Sequence, residues 1–233
     1  MKGGTAPADA LAGCFVRPGI QEVPQQLPAL VFLHGLGQRG NDLSLVQQHG
    51  APHYAAAGTL ASPQPIRVIA PQCPLGVDWA APVMTNRVIQ LLATLRQASY
   101  VDSTRIYLTG WSMGGLGVCS VLYRMDDVTG IAAAAVVSGG FTEAGMPEAG
   151  ARLARTPLFV AYGLHDRSVL AARSVAVIEI LQAQNAAMEA VQYTDNIPNG
   201  VRPTAHVLAC RHAFSTPHLY EWLLQHSSAP GGL

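Results

Sequence analysis

Gly110-Trp111-Ser112-Met113-Gly114-Gly115 sets a serine between glycines two positions to either side. A serine hydroxyl is a weak nucleophile unless a base removes its proton and donors receive the charge that develops on the attacked carbonyl. A GxSxG run meets the geometric part of that requirement. It allows the serine a strained backbone on a sharp strand-to-helix turn, where the two glycines avoid side-chain collisions. The residues before it, Arg105 to Thr109, are β-rich, and those after it, Met113 to Arg124, are helical in character. The Ser112 hydroxyl is therefore expected above a strand end and at the positive end of a helix, which favours an attacking oxygen and an oxyanion alike. The competing reading, a small residue in a glycine-rich packing turn, does not account for this setting.

A second glycine-rich stretch, His34-Gly35-Leu36-Gly37-Gln38-Arg39-Gly40-Asn41-Asp42, follows the strand-like run Ala29 to Leu33. Such a loop exposes backbone NH groups, so the expected oxyanion donors are the NH of Met113 and that of Leu36. His34 is expected to order this loop by hydrogen bonding. Asp166 ends Gly163-Leu164-His165-Asp166 after another strand-like run, Leu158 to Tyr162, and is the expected acid. Asp195, one predicted strand later, competes with it, and an N-capping role is the structural alternative for Asp166. Two histidines, His206 and His212, lie downstream, and spacing does not choose between them. The pattern His206-x3-Cys210-x-His212 matches no strong zinc spacing, so no metal site is expected.

These residues need strand ends to hold them. Arg67 to Ala70, Ile131 to Val137 and Ala190 to Thr194 read as further strands, with helices expected over Thr85 to Gln97, Met113 to Arg124, Val169 to Gln184 and Pro217 to Gln225. Strand and helix alternate, which predicts a mostly parallel central sheet with helices on both faces and ligands at the carboxyl ends of the strands. Cys14 to Arg17 is expected as an antiparallel edge strand, and Gly58 to Pro65 and Pro198 to Pro203 as loops.

The chain has 233 residues and zero formal net charge, with 49% apolar and 12% charged side chains. A single domain spanning 1–233 with a substantial core is expected. The balance gives no basic field for nucleic acid, no apolar run is long enough for membrane insertion, and the first residues lack the apolar core of a signal peptide. A soluble, cytoplasmic protein is expected. Four scattered cysteines without a CxxC pair suit reduced thiols. The neutral, charge-poor surface is compatible with a homo-oligomer.

With these residues in hand, the chain resembles the α/β-hydrolases, and within them the bacterial phospholipase/carboxylesterase-like serine esterases, also labelled predicted peptidases. Beyond the elbow, the resemblance rests on HGLGQRGND, on Ala70-Pro71-Gln72-Cys73-Pro74 followed by Trp79, on the run Val101 to Gly110, and on Ser215 to Leu224. It implies the α/β-hydrolase fold and the chain order serine, acid, histidine. Relatives carry the histidine in an H-x-x-W-x-x-A-Y segment before the closing helix. Counted back from Ala213-Phe214, that histidine falls one residue after His206, so one inserted residue restores His206, while His212 needs a larger deletion. His206 is therefore the preferred base and His212 the runner-up.

The resemblance implies a carboxylesterase-type Ser112–His206–Asp166 triad acting on a small-molecule ester without a cofactor. Trp79 and Trp111 are expected to line the pocket. About twenty residues separate the strands ending near Val137 and starting near Leu158, too few for a large cap, so an open site and short acyl chains are expected. A thioesterase or peptidase with the same triad, and a non-catalytic binding protein on the same fold, are the alternatives.

Overall fold

The structure is a computed structural model that describes residues 14–16, 26–126, 130–141, 147–195 and 203–229. Among these residues, seven strands form one sheet: β1 (Cys14–Val16), β2 (Leu27–Leu33), β3 (Arg67–Pro71), β4 (Val101–Trp111), β5 (Ala133–Val137), β6 (Leu158–Gly163) and β7 (Met188–Tyr193). Their order is β1-β3-β2-β4-β5-β6-β7; β1 runs antiparallel at one edge and the other six are parallel. Central strands β2, β5 and β6 are apolar throughout and buried at every position, as strands covered on both faces must be. The edge strand β7 carries Glu189 and Gln192 and is nowhere fully buried.

Among the described residues, seven helices cover the sheet: α1 (Gly50–Ala57), α2 (Pro82–Gln97), α3 (Met113–Arg124), α4 (Pro147–Leu153), α5 (Ala171–Ala183), α6 (Ala205–Ser215) and α7 (Pro217–Leu224). Side-chain alternation along the strands divides the core in two. Val31 and Leu33 pack with Val88, Val118, Leu122 and Val177 under α2, α3 and α5. Leu30 and Phe32 face Ala51, Phe214, Leu219 and Tyr220 of α1, α6 and α7.

The predicted layers are present, with two differences. Strand β4 begins at Val101, four residues before the apolar run. Helices α1, α4 and α6 were not anticipated. Of the loop expected over Pro198 to Pro203, residues 198–202 lie outside the described residues. The edge strand lies antiparallel against β3 as expected.

The chain reaches β3 on one side of β2 and then returns to β4 on the other. Connections leave β2 and β4 in opposite directions, opening a crevice at their carboxyl ends, where ligands bind in sheets of this kind. Leu33 is in register with Gly110, so the loop starting at His34 and the turn at Ser112 leave the sheet side by side.

Candidate active site

Ser112 joins β4 to α3 with φ 59° and ψ −120°, a conformation rare for a residue with a side chain. Close approach of three backbones forces the glycines around it. A Cβ on Gly110 would run into the Gly114 carbonyl, and one on Gly114 into that of Leu33. The Ser112 NH donates to the Val137 carbonyl at 3.0 Å, tying the turn to β5. Although Ser112 stands at the N-cap of α3, its side chain makes no capping hydrogen bond. It lines a cavity of about 290 Å³ together with Leu36, Met113, Leu116 and Val169, with Asp78 and Arg173 also on its wall.

Leu36 and Met113 are the first residues of two helical turns, the 3₁₀ turn Leu36–Gln38 and α3. An NH at that position has no acceptor within its own helix. Both residues are therefore suited to offer a backbone donor to a ligand beside Ser112.

A lattice of buried side chains shapes the Leu36 loop. His34 is fully buried; its Nε2 accepts the Cys73 NH at 2.9 Å, which leaves the proton on Nδ1 to be donated to the Gly35 carbonyl at 2.7 Å. Burial lowers its pKa to about 4, against the opposing effect of the Gly35 bond, so it is neutral near pH 7. Gln38 accepts the Gly35 NH at 3.1 Å and donates to the carbonyls of Leu45 and Val46. Gln72 donates to the carbonyls of Gln38 and Asp42, both at 2.9 Å. The ordering role expected of His34 is seen, and Gln38 and Gln72 share it without any signal in the sequence that they would.

Asp166 and His206 meet although 40 residues separate them. Asp166 follows β6, and Gly163 at the end of that strand lies against Ala205, the first residue of α6. His206 Nδ1 stands 2.6 Å from Asp166 Oδ2, while Asp166 Oδ1 accepts the NH groups of Ser168 at 2.8 Å and Val169 at 3.0 Å. Burial pushes the Asp166 carboxyl upward, but the hydrogen bond and charge of His206, with the Val169 and Ser168 NH groups, outweigh it and hold the pKa below the ordinary value. The carboxylate thus orients the imidazole and leaves Nε2 for other work. Asp195 is occupied elsewhere, 3.0 Å from His212 Nε2.

The two tryptophans depart from expectation. Trp79 is completely buried and donates its indole NH to the His34 carbonyl at 3.0 Å, with its Cβ against Gly117. It braces the loop and is not part of the cavity wall. Trp111 is also buried, with its ring against His206 at a centroid distance of 4.8 Å, and it too is absent from the wall. His206, Cys210 and His212 form no common cluster, and among the described residues no group of three or more His, Cys, Asp or Glu side chains is placed to hold a metal ion.

A strand order with one switch point, a strained serine at it, and an acid and a histidine beyond it define the α/β-hydrolase fold. Residues 78–197, slightly over half of the chain, match the dienelactone hydrolase family, and the chain belongs to that family. No curated protein sequence matches. Among solved structures, the chain is similar to a thermostable esterase, with 25% identity and a TM-score of 0.73 over 92% of this chain. It spans only 58% of that esterase. It also has the fold of a phospholipase/carboxylesterase from Dyadobacter fermentans (19% identity, TM-score 0.57, covering 91% of this chain and 95% of that one). The acyl-protein thioesterase 2 of Zea mays shares the fold as well (17% identity, TM-score 0.54, 92% and 98%).

Proposed function

We propose that this chain is a serine hydrolase that cleaves small carboxylic esters through Ser112, His206 and Asp166. The observation that carries this reading is the 2.6 Å contact of His206 Nδ1 with a carboxylate itself fixed by two backbone NH groups. That arrangement sets the tautomer in which Nε2 is a base. The proton passes from Ser112 Oγ to His206 Nε2 as Oγ bonds to the ester carbon, and the NH groups of Leu36 and Met113 receive the oxyanion. Collapse expels the alcohol, which takes the proton from His206. Water, deprotonated by the same imidazole, then attacks the acyl-enzyme, and the acid leaves as Oγ recovers its proton. A cavity of about 290 Å³ supports short acyl groups. Cys73, Cys119 and Cys210 are free, buried thiols, which supports a reducing, cytoplasmic setting.

The test is hydrolysis of p-nitrophenyl acetate, butyrate and octanoate by the wild type and the Ser112→Ala, His206→Ala and Asp166→Asn variants, alongside labelling by a fluorophosphonate. Loss of both activity and label in Ser112→Ala, and a fall of roughly 10³-fold or more in the other two, is the expected result. Acetate and butyrate should be preferred to octanoate. A folded wild type that neither turns over nor takes the label would instead support a binding role. Rates on the matching thioester and anilide rank the leaving groups.

A further inference from the structure

Trp111 directly precedes Ser112, and its indole touches His206, His49 and Gly35. His206 lies over it with ring planes tilted 32° and centroids 4.8 Å apart. His49, the residue before α1, meets it edge-on at 5.0 Å and 62°. Gly35 lies against the indole as well, since a Cβ there would come within 3.1 Å of the six-membered ring. The indole is therefore wedged between the oxyanion loop and the histidine held by Asp166, without forming part of the cavity wall.

An aromatic face carries negative charge density and attracts a cation centred within about 6 Å. In the proposed reaction the nearest group to become cationic is His206. We infer that Trp111 is a positioning residue for His206: its indole holds the imidazole at a fixed angle and stabilises the imidazolium formed when Ser112 gives up its proton. This role rests on the Ser112–His206 reaction proposed above.

The surrounding charges are consistent with it. Asp166 faces Nδ1 of His206, and His49 meets the indole edge-on, with Arg211 of α6, His53 of α1 and His206 itself near enough to act on His49. Burial lowers the His49 pKa, and Arg211, His53 and His206 lower it further.

Leucine in place of Trp111 keeps an apolar neighbour but removes the π face, and phenylalanine keeps a weaker one. The His206 pKa is read from imidazole ¹H–¹⁵N spectra of the full chain over a pH series, a measurement that needs no turnover. In Trp111→Leu it should fall by about half a unit or more, and in Trp111→Phe by less, in the same direction. With p-nitrophenyl acetate, Trp111→Leu should lower kcat roughly tenfold with little change in KM and move the acid limb of kcat/KM to lower pH. If Trp111→Leu does not fold, the sign of the Trp111→Phe shift decides. An unchanged or raised His206 pKa overturns the inference, as does a rise in KM at constant kcat, which would mean that the indole contacts substrate. Absence of fluorophosphonate labelling in the wild type would overturn the hydrolase reading instead, and the titration would still report on the clamp.

Discussion

His212 and Asp195 pair at 3.0 Å between α6 and the end of β7, and the Tyr193 ring stacks on the same imidazole at 5.1 Å. Six positions along a helix is about one and two-thirds turns, so His206 and His212 leave α6 on different sides. The described residues hold three acid–histidine pairs, the third being Glu189 with His218, and only that of Asp166 is buried.

His212→Ala should accordingly leave kcat/KM for p-nitrophenyl acetate within about threefold of wild type. Partly exposed ion pairs contribute about 1 kcal/mol or less, so its thermal midpoint should also change little. A loss of activity comparable to that of His206→Ala would contradict the assignment of the base.

The Leu36 loop should have a pH-dependent stability of its own. His34 titrates at about 4 in the folded protein and near 6.5 when unfolded. Between these values the unfolded chain binds more protons, so stability rises with pH across the window. The contribution is complete above pH 6.5 and is lost as pH falls toward 4; its size is on the order of 3 kcal/mol. Urea unfolding of wild type and His34→Gln at pH 4.5 and 7 measures it. The wild type should show the steeper pH dependence, and equal slopes would contradict the reading.

Two glycines should respond oppositely to alanine. Gly114 has no room for a Cβ beside the Leu33 carbonyl, and Gly114→Ala should cost more than about 3 kcal/mol or prevent folding. Gly37, in the neighbouring loop, has nothing within 4 Å of the same position, and Gly37→Ala should lie within about 0.5 kcal/mol of wild type. Chemical denaturation of both variants is the check.

The sequence was most informative where local chemistry and local structure agree. Strain at Ser112, helix α3 and the central strands follow from neighbouring glycines and apolar runs, and α3 has the expected bounds of Met113–Arg124. Helix α6 was hidden because its buried stripe is Ala205, His206, Ala209, Cys210, Ala213 and Phe214. Small residues and a histidine at helical spacing give little apolar periodicity, and His206 and Cys210 draw attention as functional groups instead. Gly50 and Pro52 likewise disguise α1 as a loop. The start of β4 looks like a turn because Asp102 bonds Thr104 and Arg105 locally, while Val101 still pairs with Leu27. The choice of His206 over His212 rests in the sequence on an alignment argument; in the fold His206 is buried against Asp166, whereas His212 pairs with Asp195 at the rim of the sheet. The approach of His49 to Trp111 has no local signal at all, since it is created by tertiary packing.

The proposed oxyanion donor at Leu36 is a main-chain group, held in place by His34, Gln38 and Gln72 and not by the leucine side chain, which is 56% exposed. Position 36 therefore separates two properties that usually change together. Exchanging its side chain can reshape one wall of the cavity, and so the range of acceptable acyl groups, while the donor stays where it is. That makes it the natural first site for a saturation library aimed at new substrates.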